Sequence, residues 1–390
     1  MLELLILLLP VAAASGWWAA RRSMQREKER LAASEIDSDY FRGLNYLINE
    51  QPDKAIDVFV RMLEVNSETV EMHLALGGLF RRRGEVDRAI RIHQNLIARQ
   101  TLSGEQRAQA LLALANDYMS AGLLDRAESL FEELVENRRL LKPALTNLKL
   151  IYQHEKDWDK SLDVSRRLEK LGDKGQGRDQ AHFLCELAEA ALDEDQRARA
   201  RDLLQQALAA DPAAFRPLLI MARIATLEER PGDAIDLYKR IADDHPAFIG
   251  EFLEPMQQLY TRSGKQEAWF DWLKEIYARK KNLNVLLQLT SEVAEREGFA
   301  TASDYLTNEL STAPKLAGVH RLIRMRMAQK GEQRSEFLEL IEQLLERLLK
   351  EQSAYQCHRC GFTTRTLHWQ CPGCRSWGSM LPRESSSRTS

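Results

Sequence analysis

Four of the chain's five cysteines fall between Cys357 and Cys374, in two short loops, Cys357-His-Arg-Cys360-Gly361 and Cys371-Pro-Gly-Cys374. The pattern is C-x2-C, ten residues, then C-x2-C. A two-residue loop can aim both of its thiolates at one ion while its amides hydrogen-bond the sulfurs. Two such loops complete a tetrahedral tetrathiolate site with no position left for substrate. The clustering excludes a disulfide framework spread along a secreted chain and fits a reducing compartment. One structural metal ion is expected on Cys357, Cys360, Cys371 and Cys374, with zinc the first choice. Iron in the same geometry would make an electron carrier, and spacing does not choose between them. His358 and His368 could substitute for a thiolate, but four thiolates already suffice. Tyr355, Phe362 and Trp369 are the expected core of this small module. It can bury too little apolar surface to fold alone, so the metal should hold it together.

No other constellation carries chemistry. There is no HExxH, no Walker loop and no nucleophile elbow. Gly172 to Gly177 (GDKGQG) lacks the Lys-Ser/Thr ending of a phosphate loop and is assigned as a connector. Cys185 lies on an apolar helical stripe, as a buried small residue would. His73, His93, His154 and His182 show no ligand spacing. Arg365 and Trp369 could pair and stack with bases, but a formal net charge of −3 gives no strong field for nucleic acid. The sequence describes a non-enzymatic protein that binds no nucleic acid.

The elements that carry the module recur with a fixed period. Ala200, Ala234, Ala268 and Ala302 are each 34 residues apart, as are Pro212 and Pro246, with Pro314 two periods further on. Earlier, Gly43 and Gly77, and Ala55 and Ala89, keep the same spacing. A period of about 34 residues marks the tetratricopeptide repeat, a helix–turn–helix unit that stacks into a solenoid. Small residues stand where paired helices cross, and proline opens the next repeat. Gly43 and Ala55 let the first pair approach while Tyr46 and Phe59 fill the space between, with Asp53 as N-cap after the Gln51-Pro52 turn. Steps of 38 residues to Ala127 and 39 residues to Ala200 absorb insertions, and Ser161 takes the small-residue place between them. About nine helical pairs are expected over 39–352, the last being Leu316–Gln329 and Gln333–Lys350. Trp269 and Trp272 should pack within a second helix. Such solenoids bind protein segments in a groove lined by first helices. Repeat position places Tyr40, Leu47, Leu74, Arg81 and Arg82 there, although Arg81-Arg82-Arg83 also suits a solvated helix end.

At the amino end, Leu4 to Ala20 carries no charge, Trp17 and Trp18 stand at an interfacial position, and Arg21-Arg22 follow. A cleavable signal peptide would need a basic n-region, which is missing. A transmembrane anchor over 1–20 is expected, with the arginines and the bulk of the chain cytoplasmic. A charged stalk follows over 21–38. The metal module is placed at 353–379, with a polar, disordered tail over 380–390.

The ordered combination of the Leu4–Ala20 segment with Arg21-Arg22, the Ala/Pro lattice and the CHRCG…CPGC pair resembles the lipopolysaccharide assembly protein B family of Gram-negative bacteria. The resemblance covers essentially the full chain. It implies an all-α tetratricopeptide-repeat superhelical solenoid with an N-terminal transmembrane helix and a small C-terminal rubredoxin-like or zinc-ribbon module. It also implies an inner-membrane adaptor regulating lipopolysaccharide biosynthesis. Members help the membrane AAA+ metalloprotease degrade UDP-3-O-acyl-N-acetylglucosamine deacetylase, the committing enzyme of lipid A synthesis. A lipopolysaccharide-sensing inner-membrane regulator is expected to restrain the adaptor. An assembly scaffold coordinating lipopolysaccharide synthesis and export is the alternative, and a homodimer is left open.

Overall fold

The computed structural model of the chain describes residues 17, 21–22, 41–43, 45–46, 51–65, 70–329 and 336–383. Most of the expected anchor and stalk, with Tyr40, Leu47 and the tail beyond 383, lies outside these residues. Among the described residues no helix is long and apolar enough to cross a membrane. The chain divides into two compact units, Met1–Glu155 and Lys156–Ser390.

The first unit holds α1 (Pro52–Val65), α2 (Val70–Arg82), α3 (Val86–Ile97), α4 (Gly104–Ser120), α5 (Leu124–Glu136) and α6 (Leu141–Glu155). The second holds α7 (Trp158–Lys170), α8 (Gln176–Asp193), α9 (Arg197–Ala210), α10 (Arg216–Leu227), α11 (Pro231–Asp244) and a 3-10 turn at Pro246–Glu251. It continues through α12 (Leu253–Arg262), α13 (Gln266–Lys280), α14 (Leu283–Glu297), α15 (Phe299–Thr312), α16 (Leu316–Gln329) and α17 (Glu336–Glu351). The chain is a tetratricopeptide-repeat solenoid ending in a small stranded module.

The 34-residue beat is a packing register. Ala55, Ala89, Ala127, Ser161, Ala200, Ala234 and Ala302 are each the fourth residue of a second helix, and each is fully buried. Ala268 breaks the register. Helix α13 begins at Gln266, so its fourth residue is the buried Trp269, and Ala268 is exposed. Trp269 stacks on Trp272 at 5.4 Å between ring centroids. One turn beyond this fourth position, Phe59, His93, Phe131, Ser165, Leu204, Tyr238, Leu273 and Leu306 are all buried. The expected close approach in the first pair is present, since a Cβ on Gly43 would lie 2.7 Å from the Phe59 ring. Gly77 bears the same relation to His93. Asp53 is not an N-cap: α1 already begins at Pro52, whose fixed φ and missing N–H suit the first helical position.

The module is a three-stranded antiparallel sheet in the order β2-β1-β3. Strand β1 is Tyr355–Cys357, β2 is Thr363–Thr364 and β3 is Met380–Pro382. Cys357 pairs with Met380, and Tyr355 with both Thr364 and Pro382. The module therefore runs to Pro382, and Met380–Pro382 belongs to its sheet and not to the tail expected over 380–390. A three-residue strand has too few alternations to show a period of two.

Candidate metal centre and its docking surface

The two cysteine loops have the same backbone. The Gly361 amide donates to the Cys357 carbonyl at 2.9 Å, and the Arg375 amide to the Cys371 carbonyl at 2.8 Å. The Cys357 amide donates to Phe362, and the Cys371 amide to Ser376, at 2.8 and 3.0 Å. The residue after each second cysteine is left-handed, Gly361 at φ 78 and Arg375 at φ 55. Glycine takes that conformation without a steric penalty, whereas Arg375 must be held there by the loop.

These matched loops bring all four sulfurs within 4.8 Å of one another. Cys357 and Cys374, and likewise Cys360 and Cys371, are 3.7 Å apart. A regular tetrahedron with metal–sulfur bonds of about 2.3 Å has sulfur–sulfur edges of about 3.8 Å, so the four fit one ion. Their second partners are polar. Ser379 Oγ lies 3.3 Å from Cys357 Sγ, and Ser376 Oγ lies 3.4 Å from Cys374 Sγ. The Ser379 hydroxyl is the main reason the Cys357 thiol is lowered to about 5, with the Cys360 and Arg359 amides assisting against burial. Cys374 is lowered chiefly by Ser376. At Cys360 the Phe362 amide acts downward, but burial and the three other sulfurs leave the thiol raised to about 12. A bound divalent cation would supply the positive charge that keeps all four as thiolates. All four positions around such an ion would be filled by protein thiolates, as in structural sites.

The core of the module differs from the expected one. Tyr355, Cys357, Cys371 and Met380 are buried together, while Phe362 is exposed. Trp369 turns away from this core to the repeats, together with Trp377, which was not among the expected core residues. Trp377 is 5% exposed and belongs to the cluster built by Leu162, Phe183, Leu184, Ala188 and Leu204. It meets the Trp158 and Phe183 rings edge-on, each at 5.8 Å, and stacks on His182 at 5.0 Å. Trp369 packs on Phe215 at 5.3 Å, and the Arg216 guanidinium sits 5.2 Å from its ring centroid.

Arg216 is 3% exposed and is held by Glu186 and Glu189 of α8, both at 2.8 Å. That pairing fixes the planar cation against the ring. Gly378 takes φ +58, and a Cβ there would lie 3.1 Å from His182 Nε2, so the loop between Trp377 and Ser379 approaches α8 closely. Burial, followed by Arg216 and Arg178, lowers His182 to about 3, so its ring is neutral in the dock. The sequence signal for this surface was two tryptophans eight residues apart in a module too small to bury both.

Of the expected groove residues, Leu74, Arg81 and Arg82 all lie on α2, while Tyr40 and Leu47 fall outside the described residues. Leu74 is half-buried against Val70, Leu96 and Ala110. Arg81 pairs with Asp117 at 2.8 Å and donates to the Ala113 carbonyl at 3.2 Å. Arg82 is exposed. Asp117, fully buried, also accepts from His93 Nδ1 at 2.5 Å, so this polar cluster ties α2, α3 and α4 together. Beside the docked module a cleft of about 640 Å³ is lined by Glu251, Lys281, Lys315, Tyr355 and Arg383, among others.

Fold and site together define a class: a helical-repeat scaffold with a rubredoxin-type metal module docked on it. Residues 355–382 match the rubredoxin metal binding domain family, and residues 42–104 and 185–247 match the tetratricopeptide repeat. Lipopolysaccharide assembly protein B of Escherichia coli strain K12 is 39% identical over 98% of both chains. The protein of the same name from Haemophilus influenzae is 33% identical, again over 98% of both. The chain belongs to the lipopolysaccharide assembly protein B family.

Proposed function

We propose that this chain is a non-enzymatic adaptor in the control of lipopolysaccharide biosynthesis, anchored in the bacterial inner membrane and facing the cytoplasm. In this reading it presents UDP-3-O-acyl-N-acetylglucosamine deacetylase to the membrane AAA+ metalloprotease, and a lipopolysaccharide-sensing membrane regulator restrains it. The carrying observation is kinship along 98% of both chains with proteins named for lipopolysaccharide assembly. The geometry is compatible with this: a four-thiolate module seated on a repeat scaffold is a means of fixing a binding surface. Anchoring would raise the effective concentration of membrane partners.

Affinity purification of the full chain from gently solubilised membranes tests the reading, with Cys371→Ser in parallel. Recovery of the protease with the deacetylase, lost in the variant, is the expected result. Recovery of lipopolysaccharide export proteins in their place would favour a scaffold that coordinates synthesis and export, the role the relatives' name describes. A colourless protein carrying one zinc is expected, and visible charge-transfer bands would instead mark iron.

A further inference from the structure

The last helix of the solenoid has an apolar face that nothing among the described residues covers. On α17, Phe337, Leu340, Leu344 and Leu348 are 67, 53, 49 and 51% exposed. Spacings of three, four and four residues set them on one stripe. This is not the side that seats the helix. Leu338, Ile341, Leu345 and Leu349 are half-buried, and Glu342 beside them meets His320 of α16 at 3.2 Å. A terminal repeat ordinarily presents a polar outer face to water. Four large apolar side chains in one line mark an interaction surface.

We propose that the α17 stripe pairs with the same stripe of a second copy of this chain, antiparallel about a two-fold axis near Glu342. Charge along the open flank of the stripe is complementary to itself in reverse. Glu336, Gln343 and Arg347 occupy one edge of the stripe, all exposed, with an acid at one end, a base at the other and a neutral amide between. In an antiparallel two-fold pair each edge faces itself in reverse order. Glu336 then meets the partner's Arg347 twice over, and Gln343 meets the partner's Gln343.

A parallel pair would lose that match. A membrane surface fits poorly, because interfacial helices carry Lys and Arg on the polar face, whereas α17 has five Glu against one Arg and one Lys. A helix of this length is about 24 Å long, so the stripe alone buries less than the ~1,200 Å² of a stable interface. The dimer is weak and depends on concentration. The inference stands apart from the proposed adaptor role.

Sedimentation of the full chain in mild detergent, from micromolar to near-millimolar protein, tests it. The expected result is a monomer–dimer equilibrium. Leu344→Glu should raise its dissociation constant at least tenfold with helicity and metal content unchanged. Glu336→Arg should weaken it, and Glu336→Arg combined with Arg347→Glu should restore it. A monomer throughout would overturn the proposal, as would a dimer indifferent to Leu344→Glu or a double variant no better than the single. Loss of vesicle binding in Leu344→Glu without any dimer would assign the stripe to a membrane and equally overturn it.

Discussion

His182 shows how one side chain links protonation to docking. Its ring lies between α8 and Trp377, and burial with the nearby arginines lowers its pKa to about 3. An unfolded histidine binds its proton near pH 6.5. Between these values the unfolded chain holds a proton that the native chain refuses, so stability is complete above about 6.5 and falls as the pH drops toward 3. Thermal melts at pH 7.5 and pH 5 should show that loss, and His182→Phe should flatten it. A wild-type melting temperature constant over this interval would refute the assignment. In the other unit, Asp117 is buried between Arg81 and His93. Asp117→Ala removes the acceptor of both and should cost about 3–5 kcal/mol, as for other broken buried pairs, measured by urea unfolding. The cysteine ligands were legible because their chemistry needs fixed spacing. Trp377, His182 and Arg216 were not, since each acts through a contact between segments far apart in sequence.

At the scale of the element, six of the described turns between paired helices share one conformation, the turn before α15 with Gly298 being the exception. In those six the residue two places before the second helix is left-handed: Gly84, Gly122, Lys156, Asp195, Glu229 and Gly264. Three are glycine and three are not, so the turn could be read from sequence in only some repeats. A Cβ at Gly122 would meet nothing within 4 Å, yet φ is +74. Gly122→Val should therefore destabilise by about 1–2 kcal/mol through the backbone alone, whereas Glu229→Gly should be nearly neutral. Equal melting temperatures for Gly122→Val and wild type would show that the turn carries no such constraint. The repeat lattice was visible in the alanines because helix crossings demand small residues there. It misplaced Ala268 because a large Trp269 fills that crossing, and period alone does not register a one-residue shift.

At the scale of the whole molecule, the module and the repeats of the second unit depend on each other through Trp377 and Trp369. Stripping the metal with a strong chelator should unfold the module and expose both rings, which a red shift in tryptophan emission would report; unchanged emission after verified metal loss would contradict the role given to the thiolates. The dock itself was not legible because aromatic residues in a small module are ordinarily assigned to its own core. Trp377→Ala should cost about 3–5 kcal/mol of docking stability, typical of a buried tryptophan, while keeping all four ligands. That variant separates docking from metal binding.

The decisive measurement is the half-life of the deacetylase in cells carrying either wild-type protein or Trp377→Ala, with metal content and cellular level of the protein matched. If the proposed function holds, the half-life lengthens and lipopolysaccharide accumulates in the variant. A half-life unchanged by Trp377→Ala and by Cys371→Ser alike would show that the docked metal module has no part in the function.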